Sequence, residues 1–218
     1  MLKLPCVEPR GIRAASRAWE RAVRRYARPG PGLRRERSAL LVVDMQRFFL
    51  DPGGPAYLPS GAAVLPAVRR LVDAFRDAGR PVAYGVYVTA PGGPMARRWR
   101  RRCPPRSRWA GLAEGLEAGR GERLFVKSGY SALRGTGLGA WLRVRGVSDL
   151  VVAGVMTNLC VEATVRDAFD AGLNVFVPLD GCAAGAEELH VGSLRTMAQG
   201  FATVMRSGVI LSKIGEQT

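Results

Sequence analysis

Three residues of reactive type stand at or just beyond short apolar runs: Asp44 after residues 39–43, Lys127 after residues 124–126, and Cys160 after residues 150–155. The cysteine is the most informative. In Gly154-Val155-Met156-Thr157-Asn158-Leu159-Cys160 a buried strand runs through Thr157 or Asn158, either one a good helix cap, so Cys160 falls in the first turn of a helix. Unpaired N–H groups and the positive helix end favour a thiolate there and lower the thiol pKa, which suits a nucleophile. Asp44, at the tip of an apolar strand, is out of place for a core and in place for a base. Lys127 supplies a cation that would hold such a pair and stabilise negative charge during attack, so the chemistry of the set is covalent, nucleophilic catalysis. Each residue alone also has a plainer reading. A buried cysteine is often a small hydrophobe, an aspartate after a strand a turn former, and a lone lysine a solvated side chain.

The elements that must carry these residues follow from periodicity. From Ser38 onward short apolar runs alternate with amphipathic stretches. Strands are expected over 39–43, 81–88, 124–126, 150–155, 174–177 and about 202–205, and helices over 62–78, 137–144, 161–171 and 186–200. This alternation specifies an α/β three-layer sandwich, a mostly parallel, doubly wound six-stranded sheet with helices on both faces. Ligands of such folds bind beyond the carboxyl ends of the strands. The segments to search are therefore 44–46, 89–108, 127–130, 156–160 and 178–182.

Upstream, residues 11–27 set Ile12, Ala15, Trp19, Ala22, Val23 and Tyr26 at helical spacing, with arginines on the other face. Pro29-Gly30-Pro31-Gly32 breaks that helix. The chain divides into a basic arm with an amphipathic helix, residues 1–37, and a main domain, residues 38–218. Glu8, Glu20 and Glu36 and the lack of a long apolar stretch argue against a targeting peptide. An arm that docks on its own domain or on a neighbouring subunit is expected instead.

Composition excludes several classes of function. The 218 residues are 47% apolar with a mean hydropathy of zero. No run approaches the roughly 20 apolar residues of a membrane span, so no membrane partner is expected. The formal net charge is +15, but residues 1–37 hold 11 Lys/Arg against 3 Asp/Glu, and residues 97–108 hold 7 Arg and no acid. The remainder is neutral, unlike a nucleic-acid binder with a basic face built into its fold, so no nucleic-acid partner is expected. The single histidine, His190, cannot assemble a multi-histidine zinc site. Four cysteines without a CxxC pair indicate neither a zinc ribbon nor a disulfide framework, and a reduced, cytoplasmic protein is the expectation.

Leu41-Val42-Val43-Asp44-Met45-Gln46, then Val126-Lys127-Ser128-Gly129-Tyr130-Ser131-Ala132-Leu133 with Gly135-Thr136-Gly137-Leu138, then Gly154 to Val161 with Thr164, Asp167 and Ala168 form three ordered motifs. With these the chain resembles the isochorismatase-like cysteine hydrolases, from Ala39 to about Leu211. The resemblance implies that Cys160 attacks, Asp44 takes its proton and Lys127 bridges the two. It further implies a non-proline cis peptide between Val155 and Met156, with the backbone N–H groups of Met156 and Cys160 as an oxyanion hole, and a homodimer or homotetramer. Nicotinamidases of the family bind a metal with an Asp-x-His pair and further histidines after the second strand. Here that region reads Val88-Thr89-Ala90-Pro91-Gly92-Gly93-Pro94, so no metal and no cofactor are expected. His190 is read as structural.

Retention of Cys160 favours cleavage of an amide or ureide C–N bond of a small molecule through a thioester acyl-enzyme. The alternatives are a vinyl ether hydrolase using Asp44 as acid and, from another class, a non-catalytic binder of anions or nucleic acid. Candidate substrate contacts are Gln46, Phe49, Tyr57, Trp99 and Tyr130, with Phe48 either beside them or in the core. An arginine of 97–108 reaching the pocket would select an anionic substrate.

Overall fold

The structure, a computed structural model, describes residues 6–215; residues 1–5 of the expected arm and 216–218 of the expected main domain lie outside them. Each expected strand forms: β1 (Ser38–Val43), β2 (Val82–Tyr87), β3 (Arg123–Lys127), β4 (Asp149–Val155), β5 (Asn174–Pro178) and, last in the chain, β7 (Thr203–Met205). They lie in the order β3-β2-β1-β4-β5-β7 and every pairing is parallel. A seventh, β6 (Cys182–Ala183), extends the carboxyl end of β4 by pairing with Gly154 and Val155. Two residues are too few to show a period in sequence. β1, β2 and β4 are buried throughout, in keeping with their unbroken apolar runs, whereas Leu124 and Val126 of the edge strand β3 are exposed.

The helices are α1 (Ile12–Arg24), α2 (Arg47–Leu50), α3 (Gly61–Asp77), α4 (Gly93–Arg98), α5 (Leu138–Val144), α6 (Glu162–Asp170), α7 (Glu187–Gly200) and α8 (Ser207–Gly215). Of these, α2, α4 and α8 add to the expected set. From β1 the chain steps outward to β2 and β3, returns to the other side of β1 to lay down β4, and steps outward again to β5 and β7. Right-handed crossovers in these opposite directions place their helices on opposite faces of the sheet. The direction reverses between β1 and β4, and a crevice opens there beyond the carboxyl ends of the strands.

The arm docks on its own chain. Trp19 of α1 is buried and donates its indole N–H to Glu187 Oε1 of α7 at 2.7 Å. The linker is tied to β4, where Arg34 gives Asp149 a backbone N–H at 2.8 Å and a guanidinium N–H at 2.6 Å. Burial acts to raise the Asp149 carboxyl, but hydrogen bonds from Arg34 and Asn174 outweigh it and hold the group below its ordinary range. No helix among the described residues is long and apolar enough to cross a membrane.

Candidate active site

The reversal point of the sheet is where the three reactive side chains gather. Val43, the last residue of β1, pairs with Gly85 of β2 on one side and Gly154 of β4 on the other. A Cβ at residue 154, whose φ is 122°, would lie 2.1 Å from the Val43 carbonyl oxygen, so only glycine lets β4 approach β1 this closely. Asp44 follows with φ of 53°, a left-handed conformation that aspartate tolerates better than most residues, and its N–H donates to Gly85 O at 2.8 Å. Its carboxyl is completely buried.

Lys127 ends β3, two strands away from β1. Its side chain passes over β2 at Gly85, where a Cβ would sit 3.9 Å from Lys127 Cε and 3.0 Å from Ala132 Cβ. The glycine thus lets Ala132 of the lysine segment pack closely over β2. Lys127 Nζ donates to Asp44 Oδ2 at 2.8 Å and to Gly129 O at 3.2 Å. Asp44 Oδ1 has no hydrogen-bond partner among the described residues.

Cys160 arrives from the third side. The Val155–Met156 peptide is cis, and Thr157–Val161 then forms one wide helical turn, with Val161 N–H donating to Met156 O at 3.2 Å, before α6 begins. Cys160 therefore sits ahead of the regular helix rather than in its first turn. Thr164 Oγ1 donates to Cys160 O at 2.6 Å and accepts Ala132 N–H at 3.0 Å, tying this turn to the lysine segment. On the opposite side, His190 Nδ1 lies 2.8 Å from Thr157 Oγ1 and Ser193 Oγ donates to Thr157 O at 3.1 Å. His190 is completely buried, and burial depresses its imidazole to about 4.

The electrostatics reverse one expectation. Burial, and then the negative charge of Asp44, push the Cys160 thiol far above its ordinary value; Lys127 opposes them and does not prevail. The helix end does not yield a thiolate here, because a buried sulfur lacks the solvent that would stabilise its charge. Burial likewise pushes Asp44 up, against Lys127 and Cys160. For Lys127 burial disfavours the ammonium, yet interaction with its acidic neighbours, Asp44 foremost, outweighs it and leaves the amine raised. The raised pKa keeps the thiol protonated near neutral pH. Asp44 Oδ1 is the acceptor without another partner.

Cys160 opens into a cavity of about 320 Å³, whose walls include Phe48 and Phe49 of α2, Tyr87, Met95, Trp99, Tyr130, Met156 and Leu159. Phe49, Trp99 and Tyr130 thus reach the pocket as expected of substrate contacts, and Trp99 Nε1 donates to Tyr130 Oη at 2.9 Å. Phe48 is both buried and in the wall. Two expected contacts are not in the wall. Gln46 is fully buried and spent on backbone, accepting Tyr87 N–H at 2.7 Å and donating to Tyr87 O and Ala110 O at 3.1 and 3.0 Å. It clamps β2 to the 108–112 segment instead. Tyr57 is half-buried, and the turn closed by its N–H to Gly54 O, at 3.0 Å, presents Ala56 to the cavity.

Of the seven arginines in 97–108, Arg100 and Arg101 line the cavity, and Arg101 donates to Pro55 O. Met95 and Leu159 carried no chemical signal in sequence; only the fold brings them to the pocket. Among the described residues no three His, Cys, Asp or Glu side chains gather where they could share a metal ion.

Comparison with known proteins agrees with this geometry. Residues 38–208 match the family model described as the isochorismatase domain. The chain is similar to the ureidoacrylate amidohydrolase RutB of Methylobacterium radiotolerans, with 33% identity over 218 residues, covering 87% of this chain and 84% of that protein. Among solved structures, a cysteine hydrolase from Pseudomonas syringae pv. phaseolicola superposes with a TM-score of 0.82 at 26% identity, covering 86% of this chain and 97% of the other. N-carbamoylsarcosine amidase from Thermoplasma acidophilum gives 0.72 at 27% identity, covering 78% and 96%. With the domain model spanning nearly the whole sheet and the strand ends converging on one cysteine, the chain belongs to the isochorismatase family, in its cysteine hydrolase group.

Proposed function

We propose that the protein is an amidohydrolase that cleaves the C–N bond of a small amide or ureide through a thioester on Cys160, without a metal. The observation that carries this reading is the buried set itself: the Lys127–Asp44 ion pair at 2.8 Å, with Asp44 Oδ1 unpartnered beside a neutral thiol that opens into the cavity. Asp44 Oδ1 takes the thiol proton as sulfur attacks the carbonyl carbon, and the carbonyl π pair moves onto oxygen. The Met156 and Cys160 backbone N–H groups are assigned to that oxyanion. Collapse restores the C=O bond and expels the nitrogen, which leaves with the proton from Asp44. Water then gives a proton to Asp44 and attacks the thioester, and the departing sulfur recovers the proton. Lys127 keeps Asp44 in position and balances its charge in a site without bulk water.

The relatives named as amidohydrolase and amidase support C–N bond cleavage. At about 320 Å³ the cavity is at the small end of ligand pockets, which suits a small molecule. The test is intact-mass detection of an acyl adduct on Cys160 after rapid mixing with an amide and ureide library. Expected are a transient adduct in the native protein, no adduct in Cys160→Ser or Asp44→Asn, and no turnover in Cys160→Ala. One observation favours a second reading: burial raises Asp44, which suits an acid that protonates a vinyl ether. Turnover of such an ether that survives Cys160→Ala and disappears in Asp44→Asn would replace the amidase reading.

A further inference from the structure

A second cavity, of about 620 Å³, shares no lining residue with the one beside Cys160. Its cations come from three elements and one turn: Arg13 and Arg17 of α1, Arg70 of α3, Arg206 before α8 and Lys213 within α8. The single acid in its wall, Asp180, has both oxygens engaged. Its Oδ1 accepts the Ser207 N–H at 2.6 Å and its Oδ2 accepts the Ser207 hydroxyl at 2.8 Å. Arg206 pairs with Glu20 at 3.1 Å. Arg13, Arg17, Arg70 and Lys213 have no carboxylate partner among the described residues.

Four unpaired cations around one concavity repel one another. Arg13 and Arg17, four residues apart, are neighbours on one face of α1, which is itself unfavourable for that helix. The repulsion is relieved by an anion with several charges, and a cleft lined by one sign of charge concentrates such anions. Cations drawn from α1, α3 and α8 match several linked phosphates better than one carboxylate, because they supply more than one positive charge and each guanidinium offers paired donors that fit phosphate oxygens. We propose that this cavity binds a compact polyphosphate-bearing small molecule, which cross-links the arm helix α1 to α3 and α8. The volume suits a ligand of about nucleotide size. Because the cations converge on one concavity bordered by α1, α3 and α8 instead of forming a continuous stripe, the observations favour a small anion over a nucleic-acid strand.

The proposal is independent of the chemistry at Cys160. Its test is titration of the full chain with sodium triphosphate at low salt by calorimetry, with inorganic phosphate, citrate and a short DNA duplex as comparators. Expected are one triphosphate per chain, a raised Tm, affinity that declines with added NaCl, and weaker binding of the comparators. Arg70→Gln with Lys213→Gln should weaken triphosphate by about tenfold, as expected for the loss of two charge-assisted contacts. Gly208→Asp is expected to keep the native Tm in the absence of anion. A Cβ at residue 208 meets nothing within 4 Å, and an acid in the first turn of α8 suits the helix while repelling the anion. Arg102→Gln with Arg106→Gln, outside the cavity, should leave binding unchanged. Absence of binding, binding that survives both cavity variants, loss only in the Arg102/Arg106 variant, or equal affinity for citrate or duplex would each overturn the proposal.

Discussion

A buried thiol is stable in place as long as it keeps its proton, and this chain buries several. Burial and neighbouring acids push Cys103 up to about 11 and Cys182 up to about 12, and Cys160 further still, from an ordinary value of 9.0. Below that value native and unfolded chains both hold these protons. Above it the unfolded chain releases them while the native chain does not, so stability falls as pH rises. The slope is up to about 1.4 kcal/mol per pH unit for each thiol. Urea unfolding between about pH 8 and pH 10.5 should show this decline, and Cys182→Ala should reduce its slope. A flat profile would show that these thiols ionise equally in both states. The same burial explains what residue types reveal and what they hide. Asp44, Lys127 and Cys160 are conspicuous after apolar runs, but the proton inventory of the site depends on how deeply they are buried. No sequence pattern reports that Lys127, two strands away, reaches Asp44 across Gly85.

Among the elements, α1 has more to do than its place outside the sheet implies. Trp19 meets the His190 ring at a centroid distance of 4.3 Å, and His190 in turn holds Thr157 in the wide turn that presents Cys160. The depressed imidazole stays neutral where the unfolded chain would protonate, so its contribution is lost as pH falls from 6.5 toward about 4. Trp19→Ala should cost about 3–5 kcal/mol, the usual range for truncating a buried tryptophan. It should also lower kcat with little change in KM, because it loosens the turn that carries Cys160 and not the cavity wall. Trp19→Phe should recover most of kcat. Urea unfolding and steady-state kinetics check both variants; unchanged kcat in Trp19→Ala would separate the arm from the site. The α1, α3 and α7 helices were readable from their apolar periodicity. The four-residue α2 and six-residue α4 were not, since neither is long enough to display a period, yet they carry Phe48, Phe49 and Met95 into the cavity.

For the molecule as a whole the charge of +15 resolves into separate places. Arg100 and Arg101 stand at the Cys160 cavity, Arg34 is spent on Asp149, and Arg13, Arg17, Arg70 and Lys213 surround the second cavity. Much of the charge therefore remains unpaired and repels itself. Screening should stabilise the fold: raising NaCl from about 0.02 to about 0.3 M shortens the Debye length from about 20 to about 6 Å. Scanning calorimetry should then show Tm rising by about 2–4 °C, the scale of one kcal/mol for a chain of this size. A falling Tm would mean that salt costs more in weakened ion pairs such as Arg34–Asp149 than it gains in relieved repulsion.

The sequence by itself determined the order of six strands and five helices, the parallel sheet and the strand ends at which reactive residues stand, because apolar periodicity and short connections are local properties. It also held Gly154 and Gly85, though nothing local tells why glycine is needed at either position. Tertiary structure alone decided that Gln46 clamps backbone while Phe48 and Phe49 line the cavity, and that two arginines of seven turn toward it. It alone decided that burial holds the Cys160 thiol in its protonated form. Those outcomes depend on distance and burial between residues far apart in the chain, such as Lys127 and Asp44, 83 positions from each other.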